Sequence, residues 1–278
     1  MRMLFFGDIV GKPGRLALKE HLPRLRQEYG ADFVIANGEN ASGGIGITAE
    51  TCRELLNLGI DVLTTGNHIW KHKDIYSALQ RESRLLRPAN FPEITNAYGV
   101  EGATVSGAVG RGLGIYDIAG VQIAVINLMG RTYMNSLDCP FRKADELLAT
   151  IPDSVKVRFV DFHAEASSEK KALGWYLDGR VSAVVGTHTH VQTADAMLLD
   201  KGTAYLTDAG MCGAEASVLG MDKTVIINKF LTHVPQKFKP ENGRGSLNGV
   251  AMDIDEATGM ARSIELIRVA CPPAALNV

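Results

Sequence analysis

No apolar run in this sequence approaches the roughly 18 residues that a membrane-spanning helix needs, and the N-terminal run is interrupted at Asp8, too early for a signal-peptide core. A cytoplasmic, membrane-free protein is the expectation. Cysteine is sparse: Cys52, Cys139, Cys212 and Cys271 are scattered and form no Cys-x-x-Cys pair. That excludes zinc-ribbon and thioredoxin-like centres and leaves reduced, mostly buried thiols. Neither sign of charge is in excess, since 29 Lys and Arg stand against 31 Asp and Glu for a net charge of −2. Nothing global therefore points to a nucleic-acid partner or a membrane surface. A dinucleotide fingerprint is missing too, because neither Gly7-Asp-Ile-Val-Gly11 nor the cluster Gly43, Gly44 and Gly46 fits G-x-G-x-x-G after a strand. With no internal repeat, low-complexity tract or linker composition, one domain over 1–278 is expected.

What the chain has is an ordinary globular balance, 46% hydrophobic and 22% charged over 278 residues, enough for a substantial core. Strands are expected at Met1–Phe6, Phe33–Asn37 and Asp61–Thr65. Between them, Leu18, Leu22, Leu25 and Tyr29 mark one helical face, capped by Gly30 and kinked or split at Pro23, and Thr48 caps a second helix. This β-α-β-α-β order is the mark of a parallel sheet covered by helices. Leu113–Ile118 and Val121–Leu128 then face each other across Ala119-Gly120, a hairpin signal. Strands at Val157–Phe162 and Val181–Val185, and a closing hairpin of Gly249–Ile254 with Ile264–Val269, complete an α/β reading of two mixed sheets packed face to face with helices outside.

Four apolar runs end in the same way: Met3-Leu-Phe-Phe-Gly7-Asp8, Phe33-Val-Ile-Ala-Asn37-Gly38-Glu39-Asn40, Val62-Leu-Thr-Thr-Gly66-Asn67-His68, and Val181-Ser-Ala-Val-Val-Gly186-Thr187-His188-Thr189-His190. A fifth, Val157-Arg-Phe-Val-Asp161-Phe162-His163, ends in histidine without the glycine. Taken singly, each piece has an ordinary reading. Asp8 is an acid of a kind that caps helices, Asn40 and Asn67 are turn residues, and a His-x-His is often two solvated loop histidines. Repetition changes the balance, because residues just past the carboxyl ends of strands in such sheets converge on one crevice. In extended backbone His188 and His190 would point the same way, as a metal pincer. Carboxylate, amide oxygen and imidazole together suit manganese, iron or zinc, and so many donors favour two ions sharing a carboxylate. His21, His72 and His233 lie off the strand ends and are left as surface or packing residues. Asp161 and Glu165 flank His163 as supporting or solvated acids, and Asp208 also follows an apolar run.

Taken in order, these motifs resemble those of the calcineurin-like metallophosphoesterases. Within that superfamily the chain resembles the YmdB-like phosphodiesterases along nearly its whole length, including Leu86-Arg87-Pro88-Ala89-Asn90 and Thr132-Tyr133-Met134. The resemblance implies a four-layer α/β/β/α sandwich and a dinuclear centre. By position, Asp8, Glu39, Asn40 and His190 would hold one metal, and Glu39, Asn67, His163 and His188 the other. Val10 departs from the wider pattern, in which a histidine stands there, and Asn40 would take its place. Iron in both sites is implied, with manganese or zinc open. The substrate class implied is a cyclic nucleotide, 2′,3′ or 3′,5′, cleaved by a metal-bridging hydroxide with His68 as proton donor. Arg87–Gly114 and Arg131–Phe141 are the expected substrate walls, with Arg131 or Tyr133 as candidate contacts. A phosphomonoesterase or nucleotidase with the same centre, and a regulatory metal-binding protein with little turnover, are the alternatives, and homo-oligomerisation stays open.

Overall fold

The structure, a computed structural model, describes residues 1–92 and 107–270. Cys271 and positions 93–106 of the expected Arg87–Gly114 wall lie outside the described residues. The chain opens with β1 (Arg2–Phe6), β2 (Asp8–Ile9), α1 (Gly11–Tyr29), β3 (Phe33–Asn37), α2 (Ala49–Asn57), β4 (Val62–Thr64) and α3 (Ile75–Arg81). Its middle part holds β5 (Leu113–Ile118), β6 (Val121–Met129), α4 (Pro140–Thr150), β7 (Val157–His163), α5 (Ser167–Leu177) and β8 (Ala183–Thr187). Then come β9 (Met197–Leu198), β10 (Ala204–Leu206), β11 (Met211–Ala214), α6 (Lys223–Thr232), β12 (Gly245–Ile254) and β13 (Ala261–Val269).

The strands form two mixed sheets. One runs β2-β11-β12-β1-β3-β4, with β13 also paired to β12, and the other β5-β6-β7-β8-β10-β9. Within them β1, β3 and β4 are mutually parallel, as are β6, β7, β8 and β10. Side-chain alternation along each strand builds the layers. Met3 and Phe5 of β1 share a core with Val125 and Phe159 of the other sheet, whereas Leu4 and Phe6 pack with Leu18 and Leu22 of α1. Val160 and Phe162 of β7 face the third core, with Leu173 and Leu177 of α5. The Phe5 and Phe159 rings meet across the sheets with centroids 5.0 Å apart. The result is the expected four-layer α/β/β/α sandwich.

Several local expectations are met by specific chemistry. Gly30 closes α1 in the left-handed region, Thr48 accepts the N–H of Thr51, and Ala119 and Gly120 both take positive φ in the β5–β6 turn. Pro23 does not split α1, which runs unbroken for 19 residues; the packing of Leu18, Leu22 and Leu25 onto the sheet holds it together. Helix α6 is an addition, because its run of mostly exposed apolar residues carries no clean helical period. Among the described residues no helix is long and apolar enough to cross a membrane.

Candidate metal centre

The parallel strands of both sheets end at the same rim, and there the layer between the sheets changes from apolar to polar. Val62, Ile35, Val125, Phe159 and Val185 belong to the apolar intersheet core. Two residues further along each strand, still on that face, stand Thr64, Asn37, Asn127, Asp161 and Thr187, all fully buried. Asp161 gathers them: it accepts from Thr64 Oγ1, from Asn37 Nδ2 at 2.9 Å and from Thr187 Oγ1 at 2.7 Å. Burial pushes its carboxyl up to about 6 against those hydrogen bonds and the neighbouring His163. Asp161 is thus a buried support, not a solvated flank. The signal was the period of two along β7, which sets Asp161 beside His163.

On this floor the structure brings all eight expected site residues together. Because the Thr187 hydroxyl donates to Asp161, it accepts from Nδ1 of His163 at 2.9 Å, which leaves the Nε2 lone pair of neutral His163 facing outward. That Nε2 lies 3.0 Å from Asn67 Oδ1, 3.2 Å from Glu39 Oε2 and 3.0 Å from His188 Nδ1. Nε2 of His188 faces the Glu165 carboxylate at 3.2 Å, so its Nδ1 also offers a lone pair. Glu39, His163 and His188 can each present a ligand atom with all of them within 4.8 Å of one another.

The remaining residues form the adjoining half. Asp8 is fully buried; its Oδ2 accepts the N–H of His188 at 3.0 Å, and its Oδ1 has no hydrogen-bond partner. Burial raises its carboxyl pKa, opposed by His190 and His163. His190 turns Nδ1 to the Leu219 carbonyl at 3.1 Å, which can only accept, so Nε2 keeps its lone pair towards Asn40 at 3.1 Å and Asp8 Oδ1 at 3.9 Å. Asn40 presents its amide nitrogen to His190 and Glu39 and its oxygen to His68 at 2.9 Å, so oxygen coordination on the His190 side requires the amide to turn over. Asp8 does not cap α1: it lies in β2, and the residue at the helix start is Val10.

The charges of the cluster act strongly on one another. Burial works to raise Glu39, yet His163 and His68 hold it well below the usual carboxylate range. His163 answers: burial would lower it, but Glu39, Asp8 and Asp161 push it up to about 9. His188 is driven down to about 3 by burial and the neighbouring His163. An Asp8 oxygen without a hydrogen bond and imidazole nitrogens facing oxygen acceptors fit a site in which metal ions take the place of a second proton on His163.

The expected pincer geometry is corrected. Strand β8 runs to Thr187, and both His188 (φ 102) and His190 (φ 66) lie in the left-handed region, so the two imidazoles diverge and serve opposite halves of the cluster. Asp208 holds this strained turn, accepting the Thr189 N–H at 3.0 Å, its hydroxyl at 2.8 Å and Lys170 Nζ at 2.6 Å. Asp208 therefore supports the site from behind. Lys170→Met leaves a fully buried carboxylate without its counter-charge, and a loss of about 3–5 kcal/mol is expected, read as a lower urea midpoint. The glycines of the motifs give room: a Cβ on Gly66 would run into Glu39 and His163, and one on Gly7 into the Gly210 carbonyl.

Two residues expected as substrate contacts stand away from the cleft beside the centre. A cleft of about 440 Å³ over the centre is lined on its far side by residues between Val218 and Phe238, and its lining includes neither Arg131 nor Tyr133, a residue 90% exposed. Arg87 and Asn90 are structural: the Arg87 guanidinium donates to the carbonyls of Pro88, Ala108 and Val109, and Asn90 clamps Met129 and Asp138.

Two stacked mixed sheets whose strand ends meet in this way have the metallophosphoesterase fold. The chain belongs to a family described as YmdB-like protein, whose model matches residues 4–267. It is 49% identical over 269 residues to the 2′,3′-cyclic-nucleotide 2′-phosphodiesterase of Bacillus subtilis, covering 97% of both chains. The crystal structure of a novel phosphatase from Mycoplasma pneumoniae superposes with a TM-score of 0.87 at 33% identity, covering 97% of this chain and 93% of that one. The NAD nucleotidase of Haemophilus influenzae shares the fold at a TM-score of 0.56 and 12% identity, covering 96% of this chain and 55% of that one.

Proposed function

We propose that this chain is a dinuclear metal-dependent phosphodiesterase acting on cyclic nucleotides, 2′,3′-cyclic nucleotides first, as the name of its Bacillus subtilis relative indicates for that protein. The observation that carries the reading is the convergence on His163 Nε2 of Asn67 Oδ1, Glu39 Oε2 and His188 Nδ1, beside an Asp8 oxygen that accepts no hydrogen bond. Asp8, Glu39, Asn40 and His190 would hold one ion and Glu39, Asn67, His163 and His188 the other, with iron as the proposed metal and manganese or zinc compatible with the donors. Bound there, the ions neutralise phosphoryl oxygens and bring the pKa of water down to about 7.

The protein's own groups do the rest. Thr187, Glu165 and the Leu219 carbonyl hold His163, His188 and His190 in the tautomers that turn lone pairs inward. His68 hands a proton to the ribose oxygen as its bond to phosphorus breaks, since an alkoxide is a poor leaving group. Turnover of 2′,3′- and 3′,5′-cyclic AMP set against adenosine monophosphates on one preparation tests the assignment. Hydrolysis of a cyclic diester with little release of phosphate from monoesters is expected; preference for the monoesters would make the protein a nucleotidase instead.

A further inference from the structure

The cleft over the centre has two unlike walls. One carries Glu39, Asn40, His68, His188 and His190, and the other Leu219, Met221, Ile226, Phe230 and Phe238. We infer that the second wall seats the base of the nucleotide substrate, with Phe230 and Phe238 as stacking faces beside Lys229; this rests on the phosphodiesterase reading above.

The wall is poorly explained as core. Helix α6 buries only Ile226 and leaves Phe230 73% exposed, and Phe238, in the segment after it, is 40% exposed. Large rings left in water beside a cluster of buried charges have an unmet tendency to be covered, and a flat base offers a π-face that stacks without demanding sequence. Lys229 Nζ sits over one face of the Phe238 ring, 4.5 Å from its centroid, placing a cation within the same wall and leaving the other face for a base. The cleft, about 440 Å³, falls within the roughly 300–1,000 Å³ of sites that enclose small molecules.

The wall is also held in register with the centre. His190 donates to the carbonyl of Leu219, Gly220 packs so closely on Val10 that a Cβ would collide with it, and Met221 bridges to Pro240. Asp222 then caps α6, accepting from Thr224 N at 2.8 Å and Val225 N at 3.1 Å. From a proposed metal ligand to the start of the aromatic wall there is one hydrogen bond and a short, anchored turn. A base seated there would orient the ribose phosphate over the cluster, so that specificity for nucleotides arises from a segment that contributes no expected ligand.

The test compares 2′,3′-cyclic AMP with glycerol 1,2-cyclic phosphate, which has the same five-membered phosphodiester and no base. In Phe230→Ala the ratio of kcat/KM for the nucleotide over the glycerol ester should fall about tenfold or more, the effect of losing one base–aromatic stack, mainly through KM. Phe230→Trp should keep the ratio. Because Phe230 is exposed, the thermal midpoint should hardly move. Equal losses on both substrates, or no change in the ratio, would overturn the inference; equal losses together with a drop in sedimenting mass would identify the wall as a contact between copies of the chain. If the unaltered protein cleaves neither ester, the phosphodiesterase reading itself falls, and the base site with it.

Discussion

Glu39→Gln is expected to cost the protein both its metal and its turnover of 2′,3′-cyclic nucleotides. The substitution keeps the shape of a fully buried side chain whose Oε2 lies 3.2 Å from His163 Nε2 and whose Oε1 lies 3.1 Å from His68 Nδ1. What it removes is the charge that both halves of the cluster share. Two cations held as proposed would need that negative charge beside otherwise neutral histidines and amides. Losing the several kcal/mol that metal ions contribute to phosphoryl transfer corresponds to about a thousandfold or more in kcat/KM. Metal content of anaerobically purified protein and hydrolysis of bis-p-nitrophenyl phosphate are the two readouts. A variant with its metal and its rate intact would show that Glu39 bridges nothing.

His68→Ala is expected to separate the two properties, keeping the metal and losing about 10²–10⁴-fold in turnover of the cyclic nucleotide, the usual contribution of a positioned proton donor. His68 lines the cleft, and its Nδ1 lies 3.1 Å from the acceptor Glu39 Oε1, so that nitrogen donates there and it is the Nε2 proton of the imidazolium that is left for a substrate. The loss should depend on the leaving group. A p-nitrophenolate departs without help, so bis-p-nitrophenyl phosphate should be affected far less than a ribose ester. If both substrates lost rate equally, or the metal left with the imidazole, His68 would be holding the cluster together instead of protonating a product.

Nearly all of the framework was readable along the chain, because it is written in short-range physics. Strand β3 falls on Phe33–Asn37 as expected, Gly30 and Thr48 end and begin helices as their backbone preferences dictate, and the Ala119-Gly120 turn joins β5 to β6. The candidate ligand types were legible for a similar reason: each stands one to five residues past an apolar run, near where the strand ends. Less legible were features set by neighbours distant in sequence. Nothing local says that His188 and His190 adopt positive φ, since the Asp208 and Asp8 carboxylates that hold the turn arrive from elsewhere. Asp161 looked like a flanking acid until Thr64, Asn37 and Thr187 closed around it. The wall from Val218 to Phe238 has no signature in the sequence, because helix α6 buries so little that no apolar period marks it.

The amino-acid sequence by itself determined the class of fold and the chemical kinds of group that crowd the rim, because periodicity, capping and strand-end chemistry act over a few residues. Tertiary structure alone decided which nitrogen of each histidine faces inward, which acids support and which are open to a cation, and which wall a substrate would meet. Tautomer, charge and shape at that rim depend on partners up to 180 positions apart, as His188 and Asp8 are, and such pairs exist only once the two sheets have stacked.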